Sequence, residues 1–342
     1  MDYNLKVSSS PHVKTADDTR SIMTDVLVAL FFPLAVSVFF FGWRSFTLTL
    51  CAVASCVLFE ALYCKLLKKP VPVWDMSAAV TGVLFTFTLP ASTPYWVVIL
   101  GGFFAIVIVK QLYGGIGKNF LNPALAARAF VSGFESISAY PLPGRDNYLS
   151  LWNLNLPPDA ITSATPLALL KSGEPLLPLA LNDWQNLFLG QMPGSLGEVS
   201  TAILILSGLY LVVRRVISPR IPICFIGTVA LFSFFFPRGG LSGEGHMLHS
   251  ILTGGLMLGA VFMATDYTTS PISKRGQLIF GVGCGLLTVL FRYFSAMPEG
   301  VCFAILLMNS LVWVFDKIGH PVRFGKHSKN LLREKEGGAS EE

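Results

Sequence analysis

Ile22-Met23-Thr24-Asp25-Val26-Leu27-Val28-Ala29-Leu30-Phe31-Phe32-Pro33-Leu34-Ala35-Val36-Ser37-Val38-Phe39-Phe40-Phe41 carries a single charge along its whole length. That length is what a helix needs to cross a bilayer core of about 30 Å. Similar runs follow, and the candidate membrane segments are 22–41, 45–64, 76–90, 94–112, 121–135, 196–216, 220–237, 248–264, 276–294 and 300–316. The chain is 53% hydrophobic and only 13% charged, with a mean hydropathy of +0.61. A soluble domain carries about 25% charged residues, so a water-covered surface is excluded. The reading is an all-α polytopic membrane protein of about ten transmembrane helices. Residues 1–20 are polar and mixed in charge and the first apolar run is a full span, so no cleavable signal peptide is expected.

The charges supply a test of this count. With the N-terminus in the cytoplasm, 19 of the 25 Lys and Arg residues fall on the inside, 6 of them in the tail 317–342. Arg44, Arg145, Lys171, Arg238 and Arg292 fall outside, and Arg128 lies within a segment. That bias is what the positive-inside rule demands of ten crossings with both ends cytoplasmic. The organisation is then a cytoplasmic segment 1–21, a first five-helix unit 22–135, an outward loop 136–195, a second unit 196–316 and a cytoplasmic tail 317–342. The net charge of +5 is spread over loops and tail without a basic aromatic stripe, so no nucleic-acid partner is expected.

The two units look alike. Segment three holds Ser77-Ala78-Ala79-Val80-Thr81-Gly82-Val83-Leu84, and segment eight holds Ser250-Ile251-Leu252-Thr253-Gly254-Gly255-Leu256-Met257. Five spans per unit is odd, so the second copy must be inverted. Segments three, five and eight are short, and such interrupted segments at matching positions mark half-helices around a central site.

Chemistry-bearing residues are few. Asp159-Ala160-Ile161-Thr162-Ser163-Ala164-Thr165 is a polar run in the outward loop. Thr165 offers a hydroxyl that can take a phosphoryl group as an ester, Ser163 and Ala164 leave it room, and Asp159 is placed to orient a metal-bound donor. The alternative is a threonine that caps a helix over Leu167–Leu170. Arg128 is costly inside a membrane and is a site candidate by default. It pairs with an anionic ligand, or it snorkels or pairs with Glu135 or Glu60. Glu60 and Asp266 are oxygen ligands of the kind a hard cation prefers. Otherwise Glu60 pairs with Lys65 or Lys68, and Asp266 serves nearby backbone N–H groups. Lys118, Asn119 and Asn122 precede segment five, where a half-helix N-terminus favours anionic or carbonyl groups, and where capping explains the asparagines equally well. No metal set is expected. His246 and His249 read as surface or interface residues. Gly281-Val282-Gly283-Cys284-Gly285 lies in mid-span and reads as close helix packing.

The run 159–165 resembles the flavin-attachment signature Asp-Gly-x-Thr/Ser-Gly-Ala-Thr, with Ala160 and Ser163 in place of the glycines. Three further stretches carry the same resemblance: Tyr113-Gly114-Gly115-Ile116-Gly117-Lys118-Asn119 with Asn122-Pro123-Ala124, Phe262-Met263-Ala264-Thr265-Asp266-Tyr267, and Arg292-Tyr293-Phe294 followed by Pro298-Glu299-Gly300-Val301 and Met308-Asn309. Over residues 20–320 the chain is similar to the family of Rnf ferredoxin:NAD oxidoreductase D subunits and sodium-pumping quinone reductase B subunits. Its length favours the Rnf branch. The resemblance implies a fold like that of urea and ammonium transporters. It implies FMN joined through its phosphate to Thr165, and a second, non-covalent flavin (riboflavin) between the repeats. It implies partner subunits, one with its own FMN and others with iron–sulfur clusters, a flavin transferase for maturation, and outward movement of Na⁺ or H⁺ in a cell membrane. Arg128, Lys118, Asn119 and Asn122 are then flavin-binding candidates. A stand-alone solute transporter or channel on the same fold, and a structural membrane scaffold, are the competing readings.

Overall fold

The computed structural model describes residues 18–134, 140–141, 165–172, 184–190, 192–198, 200–238, 240–295 and 299–319. Among them the ordered elements are helical. The helices are α1 Thr19–Phe41, α2 Trp43–Leu66, α3 Ser77–Phe87, α4 Tyr95–Gln111, α5 Pro123–Val131, α6 Pro166–Ser172 and α7 Trp184–Leu189. They continue with α8 Thr201–Val213, α9 Arg220–Phe235, α10 Gly243–Leu252, α11 Leu256–Met263, α12 Lys274–Phe294, α13 Val301–Ser310 and α14 Val312–Gly319.

Each expected segment contains a helix, but three are not single rods. The eighth is α10 and α11, bent by 62° at Thr253-Gly254-Gly255, and the tenth is α13 and α14, bent by 57°. Gly254 adopts φ +73°, a left-handed conformation that glycine reaches without steric cost. The sixth segment becomes helical only at Thr201. Its first residues run in extended fashion, with Leu196 N–H donating to Leu89 O at 2.9 Å and Gly197 N–H to Phe87 O at 2.8 Å. By length and apolarity α1, α2 and α12 can each cross a membrane, and counting each bent pair as one span raises the number to five. The apolar helices α3, α4, α8 and α9 are shorter.

The outside of the molecule is apolar: Phe31, Phe39, Trp43, Phe235 and Phe294 are exposed. The inside holds charge, with Arg44, Glu60, Lys110 and Arg292 buried. A lipid solvent imposes that arrangement, because it offers no partner to a polar group. Arg44 shows the consequence. Its guanidinium donates to Ala91 O at 2.8 Å and Thr93 O at 3.2 Å, and so closes the α3–α4 turn.

Packing follows one pattern in each half. Helix α2 packs on α3 and α4, and α9 packs on α10 and α12. Across the halves, α1 meets α8 and α5 meets α13. The mid-span glycines do what their spacing suggests. A Cβ on Gly281 would lie 2.8 Å from Cys224 Cβ, and one on Gly285 2.6 Å from Thr228 Cβ, so both face α9 at close range.

Candidate functional site

Two polar centres lie where the halves meet. The first is a cavity of about 80 Å³ between α1, α3, α4, α5, α8 and α11. Its polar lining includes Ser77, Lys110, Asn119, Asn122, Thr265 and Asp266. Asn122 caps α5, its Oδ1 accepting from Ala124 N–H at 3.0 Å, while its Nδ2 donates to Met263 O at 3.2 Å across the interface. Asn119 Nδ2 donates to Thr268 Oγ1 at 2.9 Å. The Thr268 and Thr269 hydroxyls donate to Asp266 Oδ2 at 3.0 and 3.2 Å. Burial holds the Asp266 carboxyl above its ordinary range, and those two bonds pull the other way. The asparagines and Asp266 therefore act together, as capping, cross-linking and cavity-lining groups at once. Lys118 is exposed and takes no part.

Glu60 lies behind this cavity, fully buried. Its partner is neither Lys65 nor Lys68 but Lys110, at 2.7 Å, with Gln111 Nε2 at 2.8 Å on the same oxygen. Lys110, expected among the loop cations, lies instead in the π-helical end of α4 and also donates to Ser77 Oγ at 2.6 Å. The sequence cue was available: a lysine inside an apolar run with no loop signal before it.

The void is smaller than the roughly 150 Å³ that takes a benzene, while a water needs only about 10–15 Å³. As it stands the cavity suits a few waters or an ion, and a three-ring flavin does not fit it.

The second centre surrounds the α10–α11 break. Glu198, on the extended run before α8, and Glu299, just before α13, both border Gly255, their Oε1 atoms 3.2 and 3.9 Å from the point where its Cβ would stand. Gly255 N–H donates to Glu299 Oε1 and Ser195 N–H to Glu198 Oε2, both at 3.3 Å. Arg292 of α12 donates from Nη1 to Ser250 O at 2.7 Å and from Nε to Glu299 O at 3.4 Å, and its Nη2 is buried without a partner. Arg128 of α5 faces the same carboxyls. Its Nη2 donates to Tyr140 Oη at 3.3 Å and its Nη1 is buried without a partner. Of the expected partners, Glu60 belongs to Lys110, and Glu135 lies outside the described residues. Burial pushes the Tyr140 hydroxyl up to about 12, with the charge of Glu299 adding to it, so Tyr140 stays neutral at physiological pH. Glu198 was not singled out from sequence and Glu299 only within a motif. The usable signal was a carboxylate beside a glycine at the opening of a half-helix.

Thr165 is half-buried at the start of α6, where its Oγ1 accepts from Ala168 N–H at 3.4 Å. The capping geometry given as its alternative reading is therefore present. Asp159, Ser163 and Ala164 lie outside the described residues. The described parts of the loop fold back onto the helices, Leu169 and Leu187 packing with Leu252 of α10. Helix α6 borders a small pocket of about 30 Å³ lined by Lys171, Arg238 and Arg292 with His246, Ser250 and Tyr293. Three cations and an orphaned guanidinium nitrogen beside this helix suit a ligand with anionic and carbonyl oxygens. His246 and His249 are buried in α10 rather than on the surface, His246 Nδ1 lying 2.9 Å from Ser233 O.

These features define a polytopic helical membrane protein with several buried charges in its interior. The chain belongs to the NQR2, RnfD, RnfE family, whose sequence profile matches residues 6–325. It is 45% identical over 314 residues to the D subunit of the Na(+)-translocating ferredoxin:NAD(+) oxidoreductase complex of Acetobacterium woodii, covering 90% of this chain and 91% of that protein. It is 38% identical over 334 residues to the D subunit of the proton-translocating ferredoxin:NAD(+) oxidoreductase complex of Clostridium ljungdahlii, covering 93% and 96%. It is 37% identical over 327 residues to the D subunit of the ion-translocating oxidoreductase complex of Stutzerimonas stutzeri, covering 90% and 92%.

Proposed function

We propose that this chain is the FMN-carrying membrane subunit of an ion-translocating ferredoxin:NAD oxidoreductase complex, with the flavin phosphate esterified to Thr165. The observation that carries the reading is the seat of Thr165: a half-buried hydroxyl opening α6, beside a pocket walled by Lys171, Arg238 and Arg292. Those cations offset the charge of a phosphodiester at the pocket's edge; at about 30 Å³ the pocket is too small for the ring, which would lie outside it. FMN, when bound, supplies one-electron chemistry that no side chain here can supply. Thr165 tethers, the cations hold, and the apolar wall of Leu167 and Leu170 excludes water.

The membrane arrangement belongs to the same reading. Ten crossings with an inverted repeat fit the charge bias, and the contacts between connections agree. Arg214 reaches Asp25, and Asn119 reaches Thr268, at one end. Arg238 reaches Tyr293, and Lys171 reaches Ser295, at the other. Thr165 then faces away from the cytoplasm, in the cell membrane. The polar cavity beside Asp266 is the candidate ion path. Relatives named for Na⁺ and for protons both align over nearly the whole chain, so the coupling ion does not follow from family membership. The remaining chemistry of the overall reaction falls to partner subunits.

The test is a denaturing gel of the chain expressed in membranes with its flavin transferase. A fluorescent flavin band that disappears in Thr165→Val supports the proposal. A colourless wild-type chain refutes it and favours a stand-alone transporter, and a band that survives Thr165→Val refutes the ester at Thr165.

A further inference from the structure

Glu198 and Glu299 come from different parts of the second half, yet each places its carboxyl at the break between α10 and α11. Their Oε1 atoms crowd one point beside Gly255, at 3.2 and 3.9 Å from where its Cβ would stand. Two ionised carboxylates offer acceptors only, so joining them by a hydrogen bond requires a proton. Two such charges in contact also repel strongly, which favours holding one proton between them. The alternative is that both are ionised and neutralised by arginine. The geometry argues against it. Among the described residues the ion pairs are Lys110–Glu60 and Arg214–Asp25, and neither arginine is paired with this site's carboxyls. Arg292 uses its donors on the carbonyls of Ser250 and Glu299, and Arg128 on the Tyr140 hydroxyl. The titratable or charged neighbours are Arg128 on α5, Tyr140 in the loop, Arg292 on α12 and Cys302 on α13, with His246 of α10 beside Arg292.

A second feature marks the place as a site. Arg292 is only 8% exposed, and its Nη2 has no partner. That nitrogen lies 3.4 Å from where a Cβ of Gly254 would stand, and Glu299 Oε1 lies 3.7 Å from the same point. An unpartnered guanidinium nitrogen and a carboxyl oxygen therefore both border Gly254 at contact distance. Leu167 of α6 reaches within 3.7 Å of that point, two residues from Thr165.

We propose that Glu198 and Glu299 form a proton-binding site at the break between α10 and α11, holding one proton between two carboxyl groups beside Gly255. The site exists whether or not Thr165 carries a flavin. Its use rests on the functional reading above: negative charge arriving beside α6 favours a further proton on the pair, and its departure favours release.

Infrared spectroscopy of the full-length Thr165→Val protein, purified in lipid nanodiscs at neutral pH, tests the site without any flavin. The spectrum of this parent minus that of its Glu198→Gln/Glu299→Gln derivative is expected to contain one carboxylic-acid carbonyl band that shifts down in D2O. The single Glu198→Gln change is expected to remove the same band, because the remaining carboxylate then accepts from the glutamine amide and ionises. Absence of an acid band from that difference spectrum overturns the proposal, and so does a band unchanged by Glu198→Gln. Should the double variant not elute as a monodisperse species, the parent minus Glu198→Gln spectrum decides, since Asp266 is common to both: the loss of an acid carbonyl band supports the site, and no loss sinks it.

Discussion

Single residues carry the junction between the halves. Gly197 is one. A Cβ there would lie 2.6 Å from Phe87 Cβ and 2.9 Å from Phe87 O, and the backbone on that side cannot yield. Gly197→Ala is therefore expected to destabilise by about 1–3 kcal/mol, the range for overpacking a filled core. A thermal unfolding scan of the purified protein reads it, and an unchanged midpoint would mean that the extended run is not wedged there. Arg292 is another. Its Nη1 serves Ser250 O at 2.7 Å deep in the interior. Arg292→Met leaves that carbonyl unsatisfied, at a cost of about 1–3 kcal/mol that the same scan reads. Arg292 and Glu299-Gly300 were legible as parts of motifs, and Gly197-Glu198 was not. What any of them touches was not legible.

At the scale of elements, one buried charge can answer another. Lys110 and Glu60 join α4 to α2 at 2.7 Å, and both are buried. Lys110→Met strips Glu60 of its partner and is expected to destabilise by about 3–5 kcal/mol, while Lys110→Met with Glu60→Gln recovers most of that. Chemical or thermal unfolding of the two variants checks the order, and equal losses would contradict it. The α9–α12 contact obeys the small-residue rule of lipid-embedded helices. Gly285→Leu puts a side chain where Thr228 Cβ already stands, 2.6 Å from the Cβ position, and is expected to force those helices apart. Loss of the monodisperse peak on size exclusion is the readout, and a peak that keeps its height and position would argue that α9 and α12 are not in such close contact. The glycine spacing made this contact readable in advance. The pairing of Glu60 was misjudged because interface lysines lie nearer in sequence, and only the return of α4 beside α2 brings Lys110 closer.

The whole molecule predicts a sidedness. If the ten-crossing arrangement holds, Arg238 and Lys118 are at opposite ends, and both are exposed. In a cysteine-free background, Arg238→Cys is expected to react with an impermeant maleimide from outside intact cells, and Lys118→Cys only after the membrane is opened. The reverse pattern, or equal labelling, would break the topology and with it the placing of Thr165. The chain by itself determined the class of protein, the run of apolar segments, the short third and fifth segments and the candidate threonine. These are local properties: a bilayer of fixed thickness reads about 20 residues at a time, and a turn or cap reads a handful. Tertiary structure alone decided that α10 and α11 break apart around Gly254, that Arg128 looks towards Glu198 and Glu299 rather than Glu60, and that two carboxyls meet. Those outcomes depend on which helices return side by side. In a lipid solvent every buried polar group must find its partner within the protein, and the partner is often distant in the chain.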